Sequence, residues 1–389
     1  ASGITDSGTV TVGGNLAATT DANNGLINLG TLAVDGTVSL HTNGSGNATV
    51  VNDAGLNFAA STVGGVLNAT ATTGNMTDSG ALTIAGTSSF TTSANNADIT
   101  LDATTHAFTG AVSLNTTGSG GHAIIDGGTT ALDIAASSVG GQLHLRSGHA
   151  SGITDSGTVT VGTWLTATTD ANNGVINLDQ LAVYNDIYFT THGTGNATGV
   201  NASTFHFGAN NSGMTVGGNL SVTSTTGDIT DGWGNATHTV AGTTTLTTSA
   251  NNRTITLDNT NNAFTGAVTI TTNDNSGTDA DVIIDSGTTA LVLAASTIDG
   301  DLTVRSGNAS GITDSGTVTV GGNLSATTDA NNGAINLGTL AVNGTIAVVT
   351  NGNGAATVVN DAGLNFVAST VGGNLIATAT TGNMTDSGA

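Results

Sequence analysis

The sequence predicts an all-β fold, a parallel β-solenoid running as one continuous domain over residues 1–389, and three observations carry that expectation. Thr, Ser, Asn, Gly and Val fill the chain while Glu, Lys, Pro and Cys are absent, so local preference favours short strands broken by turns. Apolar residues come in period-two pairs, Val10/Val12, Ile27/Leu29, Leu56/Phe58, Ile99/Leu101 and Leu143/Leu145, giving each strand one apolar face. The sequence also repeats itself at regular intervals, the mark of a stacked architecture.

The segment ASGITDSGTVTVG begins at Ala1, Ala150 and Ala309, which sets large repeats 1–149 and 150–308 and a partial repeat 309–389. Residues 1–81 align without a gap to 309–389 and differ at twelve positions. A Thr-Asp element at Asp6, Asp78, Asp155, Asp231, Asp314 and Asp386 divides each large repeat again, so the basic unit is roughly 75 residues. Within it a Val-Gly-Gly-x-Leu-like landmark occurs three times, as at Gly14, Gly36 and Gly65 or Gly86, Gly110 and Gly141. Two later landmarks carry Thr163 and Asn185 instead of glycine.

Landmark spacings are 21 to 24 residues, with one longer interval of 29 to 34 in each unit. One landmark per coil gives three coils per unit and about fifteen coils in all. At the ~4.8 Å separation of neighbouring strands this predicts a rod on the order of 70 Å. The pairs Ile27/Leu29, Ile99/Leu101, Ile176/Leu178, Ile255/Leu257 and Ile335/Leu337 would then stack as apolar ladders. Phe108 and Phe264, in matching A-F-T-G-A-V segments, belong in the same core, and Asn-Gly pairs such as Asn24-Gly25 supply positive-φ turns.

The long intervals, His41–Gly55, Asn115–Thr130, Thr190–Gly213, Thr272–Thr289 and Val349–Gly363, read as insertions on one edge of the solenoid. They are either an array of contact loops or surface variation that the fold tolerates.

Charge and composition exclude several functions. The net charge is −23, every acid is Asp, and the only cations are Arg146, Arg253 and Arg305, so clustered basic groups for phosphate are lacking and nucleic acid is not expected as a partner. No apolar run approaches the ~18 residues of a membrane helix, and membrane insertion is not expected. Without cysteine there is no disulfide, thiolate zinc site or thiol nucleophile. Catalysis requires a converging acid–base or nucleophilic set, and near-identical repeats spread their chemistry evenly, so the chain is read as not an enzyme and as needing no cofactor.

Two groups remain as candidate binding residues. Asp274, Asp279, Asp281 and Asp285 crowd one long interval and form a possible hard-cation site for calcium, which takes oxygen ligands; the alternative is Asp as a turn residue bonding its own backbone. In the middle repeat Trp164, Tyr184 and Tyr188 replace Asn15, Asp35 and Ser39, and Trp233 lies in the insertion Gly232–Asn235. Facing outward, these aromatics would suit sugar stacking or lateral contact; facing inward, they repack a corner. The eight histidines, His144 and His149 among them, are dispersed and read as surface residues.

The motifs I-T-D-S-G, S-T-V-G-G-x-L, A-N-x-x-I-T-L-D and A-F-T-G-A-V resemble the repeats of giant bacterial β-strand-repeat surface proteins and are similar to filamentous-haemagglutinin-type adhesins. The resemblance implies an extracellular or cell-surface fibre or stalk, of bacterial origin, used in adhesion, cell contact or a sheath. Its expected partners are further copies of the chain, end to end or side by side, with glycans or another cell surface as the alternative. It supplies no catalytic residues.

Overall fold

A computed structural model describes residues 3–208, 213–232, 234, 236–273 and 279–388. Described residues form strands, turns and bends without helix, and the strands among them pair in parallel. The chain divides into two compact units, Ala1–Asn185 with Phe189–Gly193, and Asp186–Tyr188 with Thr194–Ala389. Each unit is a parallel β-solenoid, and together they hold about 17 turns.

Within each unit a turn alternates between two parallel sheets. In the first unit, sheet I contains Ile27–Val34, Ala48–Asn52, Leu67–Ala71, Ser88–Asn95 and Val112–Thr117, while sheet II contains Thr37–Asn43, Leu56–Phe58, Met76–Asp78, Ile99–Leu101, Ala123–Asp126 and Leu143–Ser147. Period-two patterning sends alternate residues inward, and parallel register stacks them one per turn. One column of sheet II therefore reads Leu56, Met76, Ile99, Ala123, Leu143, Leu165, each paired with the next. In the second unit the equivalent column is Ile255, Val282, Leu302, Leu324, Ile346. Phe58 and Phe108 from sheet II meet Phe90 from sheet I edge to face, with ring centres 6.3 and 6.0 Å apart. Phe108 and Phe264 are buried as expected.

Corners are held by side chains replacing lost backbone partners, since an unpaired buried polar group is costly. Buried Thr20, Thr92, Thr116 and Thr169 each donate their hydroxyl to the carbonyl five residues on. Thr248 and Thr328 do so in the second unit. The Asn residues before the Ile-x-Leu strands, Asn24, Asn96, Asn173, Asn252 and Asn332, all have φ between 57 and 65°, a conformation Asn tolerates better than other side chains with a Cβ.

The long intervals are not insertions. Each contains a strand: Ala48–Asn52, Ala123–Asp126, Ala197–Asn201, Val282–Asp285 and Ala356–Asn360. The landmark before Thr37–Asn43 opens a strand of sheet II, and the next, before Leu67–Ala71, opens a strand of sheet I. Between them the chain crosses three sheet segments instead of two, so the interval holds one and a half turns. The same shift recurs from Val112–Thr117 in sheet I to Leu143–Ser147 in sheet II. A unit of three landmarks is thus three and a half turns, which corrects the expectation of three coils and raises the count from fifteen to about 17.

Candidate functional site

The predicted aromatic residues take different positions. Trp164 and Tyr184 sit at one corner on consecutive turns of the first unit: Tyr184 N–H bonds the Val161 carbonyl at 3.1 Å and Asn185 N–H the Thr163 carbonyl at 2.9 Å. Both face outward, Trp164 36% and Tyr184 77% exposed. Tyr188, in the second unit, is half-buried; its hydroxyl points at Asp186 Oδ2 at 3.5 Å, and its ring lies so close over Gly208 that a Cβ there would overlap it. Tyr188 lies within the strand Asp186–His192 between buried Ile187 and Phe189, so its ring packs on the outer face of the sheet, and a glycine on the next turn makes the room. Trp233 lies outside the described residues.

Among the described residues the candidate calcium aspartates are not gathered into a cation site. Asp274 lies outside the described residues, and Asp279 is exposed. Asp281 Oδ1 accepts the Asp301 N–H at 2.8 Å. Asp285 is buried, accepts the Gly287 N–H at 2.7 Å in a tight turn, and pairs in register with Arg305 on the next turn; burial pushes its carboxyl up. Among the described residues no three acidic or histidine side chains are grouped to hold a metal.

Sequence reasoning missed what the Thr-Asp aspartates do. Five of the six reach across to the backbone about one turn later: Asp6 accepts Gly30 and Thr31 N–H, Asp78 accepts Asp102 N–H, and Asp155 accepts Asp179 and Gln180 N–H. Asp231 accepts Asn259 N–H, and Asp314 accepts Gly338 and Thr339 N–H. The Thr31 N–H holds Asp6 below the usual carboxylate range, whereas burial pushes Asp155 up. The signal available in sequence was the recurrence of Asp itself, and its partner lies too far along the chain for a local motif to reveal.

Two of these aspartates also face a buried histidine. His106 Nε2 is 3.5 Å from Asp78 Oδ2, and His238 Nε2 is 3.4 Å from Asp231 Oδ1, with both imidazoles fully buried. Each ring accepts a backbone N–H at Nδ1, from Leu82 at 2.8 Å and from Met214 at 3.1 Å, which places the single proton of a neutral ring on Nε2. These two histidines are therefore not surface residues. Burial lowers His238 to about 4 and raises Asp231 to about 6.

Asp231 also borders a groove in the second unit. A cleft of about 500 Å³ is lined by Thr230, Asp231, Gly232, Thr256, Asp258 and Thr260 among others. A neighbouring cleft of about 350 Å³ shares Thr230, Asp231 and Gly232 and adds His206. His206, Thr230 and Thr256 pair in register on three successive turns, with His206 Nδ1 and Thr230 Oγ1 2.7 Å apart. Ten residues lie between Asp231 and landmark Gly242, where seven lie between Asp78 and Gly86.

Turn after turn of in-register parallel strands, with polar side chains spent on corner backbone, defines a β-solenoid repeat protein. The chain belongs to the DUF5649 family, repeats of unknown function, whose model matches residues 45–115, 120–187, 194–271 and 279–337. No curated protein and no solved structure matches it. Each family match begins just before a half-turn strand, Ala48–Asn52, Ala123–Asp126, Ala197–Asn201 or Val282–Asp285. The span 45–115 crosses sheet I four times and sheet II three times, so the family repeat that fills it is the three-and-a-half-turn unit.

Proposed function

We propose that this chain is a structural segment of an extracellular bacterial surface fibre, in which the solenoid gives length and durability and chemistry resides elsewhere. The supporting observation is that the recurring polar residues, Asp6, Asp155, Asp314 and the corner threonines, are committed to backbone groups of their own or the next turn. A chain that spends its polar side chains on its own corners is built to persist. Absence of cysteine suits this role as well, since stability then rests on ladders and hydrogen bonds whatever the redox state. Antibody raised against the chain is expected to label the surface of intact, unpermeabilised producing cells, along fibres visible by immunogold microscopy. Labelling that appears only after permeabilisation contradicts the proposal.

One observation favours a second reading, an adhesive module that contacts glycans or a second copy. Trp164 and Tyr184 are exposed on adjacent turns of one corner, where rings of this kind bury area at low entropic cost. Trp164→Ala with Tyr184→Ala is then expected to lower retention on a glycan surface or to abolish lateral association in sedimentation. Unchanged behaviour in both assays removes this reading.

A further inference from the structure

We propose that the outer face of sheet II in the first unit, around Trp164, is a binding site for a neutral saccharide. The site rests on the adhesive reading of Trp164 and Tyr184 and commits it to a sugar. Leu143 pairs with Leu165, and His144 with Thr166, on consecutive turns. Gln142 and His144 therefore lie beside Trp164 and Thr166, and all four alternate with the buried residues Leu143, Leu145, Leu165 and Ala167, which turns them outward. Neighbouring outward positions are about 5 Å apart across turns and about 7 Å apart along a strand, so one pyranose ring seated on the indole reaches both Gln142 and Thr166.

Trp164 stands where a corner bond has been given up. At the same repeat position Asn15 Oδ1 accepts the Thr37 N–H at 2.9 Å, and Asn323 Oδ1 accepts the Thr345 N–H at 2.8 Å. An indole accepts no hydrogen bond, so the exposed ring replaces a contact that holds the corner in the sister repeats. The polar groups beside it are uncommitted as well, unlike the aspartates and threonines of the other corners. Gln142 Oε1 lies 3.3 Å from His144 Nε2 and can only accept, so the imidazole donates and the two amide N–H donors of Gln142 are free among the described residues. Trp164 Nε1 and Thr166 Oγ1 likewise have no protein partner among the described residues. An aromatic plate rimmed by free donors and a hydroxyl matches a pyranose, whose C–H face stacks on the ring while its hydroxyls bond at the edge.

Charge separates this ligand from its competitors. Burial, with His122 nearby, lowers the pKa of His144, which is then neutral at neutral pH. Arg146, two residues beyond His144, is paired with Asp170 at 3.0 Å, so no free cation among Gln142, His144, Arg146, Trp164 and Thr166 awaits an acidic sugar. A second copy would bring a net charge of −23 against the same charge.

The test is saturation-transfer NMR on the full chain with cellobiose, lactose and N,N′-diacetylchitobiose as probes. At least one of them is expected to show transfer. Trp164→Asn brings back the side chain carried at Asn15 and Asn323, so it should fold with an unchanged or higher melting temperature and weaken binding about tenfold. Gln142→Ala should weaken it about threefold. Binding of none of these disaccharides, or binding that survives Trp164→Asn, overturns the proposal. If no disaccharide binds and Trp164→Ala with Tyr184→Ala abolishes lateral association in sedimentation, the adhesive reading stands for a second copy and the saccharide site falls; if association is unchanged too, both fall.

Discussion

At the scale of single residues the account turns on burial without loss of partners. His238 and Asp231 make the sharpest case, because each is shifted toward its neutral form. A histidine held near 4 against 6.5 resists protonation when folded, so its contribution to stability is full above 6.5 and is lost as pH falls toward 4. An aspartate raised from 3.8 to about 6 acts in the opposite sense: its contribution is full below 3.8 and is lost as pH rises through 6. Between about pH 4 and 6 folding therefore moves a proton from histidine to aspartate with little net uptake, and the pair leaves stability nearly flat. Urea unfolding of Asp231→Asn should show the second unit weakening as pH falls from 6.5 to 4, whereas His238→Gln should strengthen over the fall from 6 to 4. Parallel slopes in the two variants would refute the pairing. Neither partner was legible as a pair, since Asp231 looked like a repeat marker and His238 like a dispersed surface residue; only the fold brings them within 3.4 Å.

At the scale of elements, strands and corners were readable for different reasons. Pairs such as Ile99/Leu101 revealed strands because one face of each must be buried. The Asn corners were readable because the geometry needs a left-handed residue. Asn332, at φ 65°, also accepts the Asn353 N–H from the next turn at 2.8 Å. Asn332→Gly keeps the backbone and loses that bond, while Asn332→Val adds the cost of a branched side chain in that region. The valine variant is expected to be less stable than the glycine variant by about 1–2 kcal/mol in urea unfolding; equal stability would mean that the corner relaxes. The strand Ala48–Asn52 was hidden by the opposite circumstance. It carries the alternating pattern, A-T-V-V-N, but no landmark precedes it, so a landmark-based count assigned it to a loop.

At the scale of the whole molecule the half turn explains why the sequence has two periods. A unit of three and a half turns brings each landmark to the other sheet, as from Leu16–Asn23 in sheet II to Ser88–Asn95 in sheet I. A second unit brings it back, as at Leu165–Asn172 in sheet II, so two basic units make one large repeat. The longer period, visible as ASGITDSGTVTVG at Ala1, Ala150 and Ala309, is the one after which a residue returns to the same sheet. Its length was plain in the sequence; its cause was not, because nothing local distinguishes half a turn from a loop. Engineered cysteines test this directly, since the chain has none of its own. Thr49 pairs in register with Asn68 on the next turn of sheet I, while Ser39 lies in sheet II. Register neighbours fall within the Cα separation of roughly 4.4–6.8 Å that a disulfide spans. Mild oxidation of Thr49→Cys with Asn68→Cys should give an intramolecular disulfide in nearly every molecule, and Thr49→Cys with Ser39→Cys should give none. No cross-link in the first pair, or equal cross-linking in both, would contradict the half-turn solenoid.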